Sequence, residues 1–247
     1  MIICPQVEDP IKRDEGAPGP WNISRVEWNP SGLQGRLVAV ASDASHPLGR
    51  TGLYQGDAYV IQYAVRKGRS PDVIYFWQGA DSSNFEKGAS AILTVQLDEV
   101  TGGRARHARV EEGKEPEHFL AMMGGTFTTL QGGVQRKKAT QQDTDGLMLF
   151  RIQAECNAVG SKKPVVRTRQ VDERRSSLTD QDAFLLVDSR SKEVITWSSP
   201  AASPEETATA AKVAESVLQS LLQGDRLRPK VFTGTQPPQE ITGKLKD

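Results

Sequence analysis

Apolar and polar positions alternate along Trp21-Asn22-Ile23-Ser24-Arg25-Val26-Glu27-Trp28, with one slip at Ser24-Arg25, as in a half-buried strand. A second strand is predicted over Arg36 to Ala41, RLVAVA. A stronger pair follows: DAYVIQYAV from Asp57 and DVIYFWQG from Asp72, both rich in β-branched and aromatic residues and separated by the turn-forming RKGRSP. That spacing predicts a hairpin. From Ser82 the period lengthens. SSNFEKGASAILTVQLDEV has no proline and predicts a helix of about 17 residues, with Ser82 or Ser83 as N-cap and Gly102-Gly103 as its stop. RHARVEEG then reads as a strand, PEHFLAMM as a short helix with Pro116 at its first turn, and VQRKKATQQDTDG as a basic linker.

A second cycle starts at Leu147 with LMLFRIQAE, PVVRTRQV and DAFLLVDSRSKEVITW. It ends in an Ala-rich helix from Ser203 to Leu222, with Pro204 at its first position and Gly224 beyond it. In the first cycle D-A-Y-V-I at Asp57 precedes Trp77, and Glu86 stands nine residues past that Trp. In the second, D-A-F-L-L at Asp182 precedes Trp197, and Glu206 again stands nine past it. A shorter hairpin loop accounts for the smaller Asp-to-Trp distance. This is an internal repeat. The expected architecture is α+β in two copies: an irregular lead-in over 1–20, a first domain over 21–133, a linker over 134–146, a second domain over 147–226 and a tail over 227–247.

Composition narrows the function. The 247 residues carry 31 Lys+Arg against 31 Asp+Glu, which argues against a dedicated nucleic-acid binder. No apolar run approaches the roughly 20 residues of a transmembrane helix, and the first residues lack the pattern of a signal peptide. Cys4 and Cys156 form neither a disulfide framework nor a metal cluster, which points to the cytoplasm. His46, His107 and His118 show no zinc spacing and read as surface residues. No nucleophile–base set, phosphate loop or dinucleotide fingerprint can be assembled, so no enzyme is expected.

The long first helix is apolar on two sides. With Leu93 as reference and ~100° per residue, Ala89, Leu97 and Val100 form a core-facing stripe, with Ser90 at its edge. Phe85 and Ile92 fall to one side, and Val95 and Ala91 nearly opposite. Such a helix is either buried on both sides or one half of a protein–protein interface; with a sheet already covering one face, the interface is the expectation. The second helix is amphipathic in the ordinary way: Ala211, Ala214, Leu221 and Leu222 flank Leu218, and Lys212, Ser216 and Gln219 lie opposite.

Two carboxylates stand in poor places for carboxylates. Asp57 opens an inner strand, and Glu86 falls on the core side of the helix, while Lys87, the base nearest in sequence, points away. Either a hard cation joins them, Ca²⁺ before Mg²⁺, or Asp57 caps a turn and Glu86 is solvated at the helix start.

The run GDAYVIQY…VIYFWQGADSSNFEKGASAILTVQLDEVTGGRARHARVEEGKEPEHFL…GG resembles the gelsolin/villin/severin superfamily, and most of all its actin-monomer-binding first and fourth repeats. A more divergent second repeat over about 147–225 is identified by QDAF and the Trp-to-Glu spacing. The resemblance implies a mixed sheet of about five strands between a long and a short helix, and a calcium-regulated cytoskeletal protein that binds actin monomers and caps or severs filaments. It implies one calcium site at the Gly56 carbonyl, Asp57 and Glu86, with a carbonyl near Gln142. A second, shared with actin, would use Asp98 and the carbonyls of Gly103 and Ala105. A third would use the Gln181 carbonyl, Asp182 and Glu206, although Trp197-Ser198-Ser199 departs there from the family's W-x-G. Phe85, Gly88, Ala91, Ile92, Val95 and Asp98 would form the actin-facing side of the helix, and Ile92 matches the residue that enters the actin cleft. An alternative is a phosphoinositide-binding module using Arg136, Lys137 and Lys138.

Overall fold

The structure, a computed structural model, describes residues 21–40, 51–64, 72–134, 146–155, 164–221 and 227–247. The alternating segment at the start forms β1 (Trp21–Asn29), which turns back through β2 (Gln34–Ala39). β3 (Gly52–Tyr54) follows, then the expected hairpin of β4 (Ala58–Tyr63) and β5 (Val73–Gln78). Helix α1 (Asn84–Thr101) crosses to β6 (Arg106–Glu111), and α2 (Glu117–Met122) and β7 (Thr128–Leu130) complete the first half. The second half runs β8 (Leu147–Glu155), β9 (Val165–Val171), β10 (Ala183–Asp188), β11 (Glu193–Ser198), α3 (Pro204–Leu221), β12 (Lys230–Thr233) and α4 (Gln239–Thr242).

One plan builds both halves. The first sheet has the order β2-β1-β4-β5-β6, and within the second sheet β9-β8-β10-β11-β12 repeats it strand for strand. In each, three antiparallel pairings are followed by one parallel pairing, reached across the long helix. The two tryptophans take matching register: Trp77 faces Tyr59, and Trp197 faces Phe184. In the first sheet Val26, Val60 and Ile74 gather on the side where α1 packs Ala89, while Tyr75 and Trp77 meet Phe119 of α2 on the other. In the second, Phe150 and Leu185 face Val213 and Val217 of α3, while Trp197 and Phe184 face Ile241 of α4.

Three expectations change. Residues 227–247 are not a tail. β12 extends the sheet, α4 supplies the short helix, and Ile241 and Leu245 are buried, so the second unit runs to the end of the described chain. Spacing hid this because one four-residue strand and one four-residue helix leave too few positions to show a period. β3 and β7 were also missed, each being three residues long. They pair in parallel with each other, and β7 pairs with β9, so part of the first half is stitched to the edge of the second sheet. Finally, His118 is a core residue: its Nδ1 lies 2.5 Å from the Tyr75 hydroxyl, and Tyr63 packs edge-on against its ring.

Lys244 ties this last segment to the β10–β11 turn, its Nζ lying 2.5 Å from Asp188 Oδ2 and 2.8 Å from Glu193 Oε2. Burial pushes Asp188 up, but hydrogen bonds from Lys244 and Ser191 outweigh it and lower its pKa to about 2. Glu193 is likewise lowered to about 2, by hydrogen bonds from Lys230 and Lys244. Carboxyls depressed in the folded state stabilise it above their ordinary values, 3.8 and 4.5, and lose that contribution as pH falls toward 2. Lys244→Met is therefore expected to lower stability at pH 7 and to flatten the acid limb in this window, read by chemical unfolding at stepped pH.

Candidate functional site

Helix α1 starts where Ser83 caps it: Ser83 Oγ accepts from the Glu86 N–H at 3.2 Å, and Glu86 Oε2 accepts from the Ser83 N–H at 2.8 Å. This capping box buries Glu86 instead of leaving it solvated. Gly102, with φ 120°, stops the helix, its N–H bonded to the Asp98 carbonyl. The buried side of α1 carries Glu86, Ala89, Ser90, Thr94 and Asp98. It is turned away from Val100, which is 81% exposed despite its place in the expected stripe.

The outer side carries Phe85, 62% exposed, Ile92, 61% exposed, and Val95, 46% exposed, with Gly88 exposed between them. Ala91 sits half-buried at the margin. Trp28 stacks on Phe85 with ring centroids 5.2 Å apart. Trp28 of β1, Leu33 of the turn and Gln34 at the start of β2 continue this face into an open cavity of about 600 Å³ against Phe85, Gly88 and Ile92. Leu33 and Trp28 were not singled out by sequence. Leu33 sits on a turn, with φ 48°, and is 74% exposed; the turn-forming Pro30-Ser31-Gly32 just before it was the available sequence signal. The helix seats closely on β2 because Gly35 has no side chain: a Cβ there would come within 2.7 Å of the Ala89 Cβ.

Asp98 does not share that outer face. It folds back, Oδ1 accepting from the Ala105 N–H at 3.0 Å and Oδ2 lying 3.0 Å from His107 Nε2. The Ala105 N–H, with His107 beside it, holds the Asp98 carboxyl below its ordinary value. Asp98 and the Gly103–Ala105 loop are thus brought together, with Gly103 donating to the Asp98 carbonyl at 2.8 Å.

At the head of α1, Asp57 is buried at the start of β4 and accepts from the Val134 N–H at 3.0 Å and the Tyr59 hydroxyl at 3.3 Å. Burial pushes its carboxyl above the ordinary value and the charge of Glu86 adds to this, while Val134, Arg25 and Tyr59 pull it back. Gly56 donates to the Gly132 carbonyl at 2.7 Å, and a Cβ on Gly133 would stand 2.9 Å from Asp57 Oδ1, so glycines keep that oxygen approachable. Buried, mutually repelling and oxygen-only, the Asp57–Glu86 pair fits a hard divalent cation.

The matching place in the second unit differs. Gln181, Asp182, Ser203 and Glu206 line a cavity of about 580 Å³. Arg151 Nη2 already lies 2.6 Å from Asp182 Oδ2, and the Thr179 hydroxyl donates to the same oxygen at 2.5 Å. Both Glu206 oxygens are engaged, by the Ala154 N–H at 2.5 Å and the Ser203 N–H at 2.6 Å. This set does not fit a divalent cation, because Arg151 already offsets the Asp182 charge and both Glu206 oxygens are taken up by backbone N–H groups. Among the described residues no group of three or more His, Cys, Asp or Glu converges on one point. Arg136, Lys137, Lys138 and Gln142 lie outside the described residues. No described helix is long and apolar enough to cross a membrane.

Fold and site together define an α+β protein built on one repeated sheet-and-two-helix plan, with a capped long helix in the first unit that shows apolar side chains to solvent. Residues 44–120 match the family model of the gelsolin repeat. Gelsolin of Xenopus laevis is 38% identical over 135 residues, covering 54% of this chain and 31% of that protein. The cytoplasmic gelsolin of Homarus americanus is 37% identical over 170 residues, covering 66% of this chain and 22% of that protein. Over these stretches the chain is similar to gelsolins and to the gelsolin repeat, and it spans less than a third of the curated relatives it matches. Among solved structures, the Thorarchaeota 2DGel3 of a complex with rabbit actin covers 92% of this chain and 99% of its own, at 20% identity and a TM-score of 0.36, a likeness too distant to bear on fold or partner.

Proposed function

We propose that this is a calcium-regulated actin-binding protein of the cytoplasm, which seats the outer face of α1 in an apolar cleft of actin and so holds monomers or caps filament ends. The observation that carries the reading is the apolar face of Phe85, Ile92 and Val95, extended by Trp28 and Leu33, on a helix whose opposite side is packed. An exposed apolar surface of this kind on a folded unit marks an interaction site. The likeness of residues 44–120 to the gelsolin repeat, and of the chain to gelsolins, supports actin as the partner. Calcium would be held by Asp57 and Glu86 with the Gly56 carbonyl, where it supplies the positive charge this buried acid pair lacks. A further ion shared with the partner would use Asp98 with the carbonyls of Gly103 and Ala105. Severing is the weaker half of the reading, because among its described residues α3 shows no apolar outer face: Ala211, Lys212 and Gln219 are exposed, and the packed stripe is Ala210, Val213, Ala214, Val217 and Leu218.

The test is actin assembly and monomer binding in calcium and in chelator. Ile92→Asp is expected to weaken binding about 30-fold or more, as loss of a central apolar contact does, while leaving unfolding unchanged because Ile92 is exposed in the free protein. Asp57→Asn is expected to abolish the calcium dependence. Assembly unaffected by the wild-type chain, in calcium and in chelator, would end this reading.

A further inference from the structure

One arginine stands beside each acid pair, at the same point of two equivalent sheets. Arg25 faces Tyr59 across β1 and β4, and Arg151 faces Phe184 across β8 and β10. The two guanidinium groups go different ways. Arg151 places Nε and Nη2 at 2.7 and 2.6 Å from Asp182 Oδ2. Arg25 instead puts Nη2 2.5 Å from Glu27 Oε1, and Arg36 holds the other Glu27 oxygen at 2.6 Å. Arg25 Nη1 is buried with no hydrogen-bond partner among the described residues, although its charge reaches Asp57 through space.

The difference sits two residues along the strand. Glu27 follows Arg25, whereas Gln153 follows Arg151. A carboxylate holds a guanidinium in a charge-assisted pair, and a neutral amide does not. Across the ladder, Glu27 faces Arg36 while Gln153 faces Arg167, which is committed to Glu115 at 2.8 Å. Among the described residues, no acid therefore draws Arg151 away from Asp182. Space is not what keeps a cation out, since Gln153, Asp182 and Glu206 line an open cavity. A cation entering there would have to displace Arg151 and leave its charge unpaired.

We infer that Arg151 is a built-in counter-ion that closes the Asp182–Glu206 pair to divalent cations, and that Glu27 holds Arg25 aside and so keeps the Asp57–Glu86 pair open to them. Metal occupancy of the two repeats is thus set by one Glu/Gln difference beside a shared arginine. The first-repeat half of this rests on the calcium reading of Asp57 and Glu86; the second-repeat half does not.

The experiment is equilibrium binding of calcium alone to the whole chain, with reciprocal exchanges. In the wild type, Asp182→Asn is expected to leave calcium binding unchanged. Arg151→Gln and Gln153→Glu are each expected to add one site, which Asp182→Asn then removes. Glu27→Gln is expected to weaken the first site by about tenfold or more, the effect one adjacent charge has on a carboxylate. Loss of a calcium from the wild type on Asp182→Asn would overturn the inference. So would failure of both Arg151→Gln and Gln153→Glu to add a site, with thermal unfolding checking that each variant is folded. If Asp57→Asn leaves wild-type binding unaltered, the first-site reading and the role of Glu27 fall together, while the added site in Arg151→Gln is still read independently.

Discussion

Glu115→Ala is expected to lower the stability of the protein by about 3–5 kcal/mol, the cost of removing one partner from a buried ion pair. Glu115 lies in the loop between β6 and α2 of the first unit, and Arg167 lies on β9 of the second; both are almost wholly buried. Glu115 Oε2 accepts from Arg167 Nε at 2.8 Å, and Oε1 accepts from Trp77 Nε1 at 3.0 Å and from the Gly113 N–H at 2.9 Å. Alanine removes these three acceptor contacts and leaves Arg167, among the described residues, with Glu155 at 3.5 Å as an acid contact. Coupling between the units should fall with it, because this pair sits beside the β7–β9 pairing that stitches them. Urea unfolding followed by tryptophan fluorescence reads the loss. Adding Arg167→Met should restore much of it, since removing both charges also removes the uncompensated one. Full loss retained in the double variant would show that the contribution is shape and not charge.

Deleting residues 227–247 is expected to unfold the second unit. The deletion removes β12 from the sheet, the side chains of Ile241 and Leu245 from the core around Trp197, and the Gly234 carbonyl that accepts from Trp197 Nε1 at 3.1 Å. Burying two such aliphatic side chains contributes about 2 kcal/mol each, and the lost ladder bonds and exposed Trp197 add to that. Set against a total stability on the order of 5–15 kcal/mol, the remainder does not hold a cooperative unit. Near-ultraviolet circular dichroism and limited proteolysis would report it, with Ile241→Ala, expected to cost about 2–5 kcal/mol, as the milder comparison. A truncated chain that kept its native near-ultraviolet signal would restore the expectation that this segment is a tail.

Local patterns made most of the secondary structure legible. The alternation of β1, the paired apolar runs of β4 and β5, and the Ser83 and Gly102 boundaries of α1 are all set by residues within one or two turns of each other. The Trp-to-Glu spacing carried over to three dimensions, because Trp77 and Trp197 take matching register and Glu86 and Glu206 both close the first turn of a long helix. The helical wheel found the exposed face of Phe85, Ile92 and Val95 but misplaced Val100, since a wheel gives relative angles and not the rotation at which a sheet receives the helix; Asp98, put on the outer face by the resemblance, is buried. The acid pairs were legible as acids. Their counter-ions were not: Arg25 and Arg151 lie 32 and 31 residues from Asp57 and Asp182 and reach them only through strand pairing.

Sequence by itself thus determined the element types, the repeat, the capped helix and the unusual placing of the carboxylates, all of which depend on residues close along the chain. Tertiary structure alone decided which charges meet: Arg151 with Asp182, Arg25 with Glu27, and Glu115 with Arg167. It also decided that the last short elements complete a core and that β3 and β7 join the second sheet. Charge pairing and edge pairing act across space, between segments tens of residues apart, and a one-dimensional pattern carries no record of which distant segment will be the neighbour.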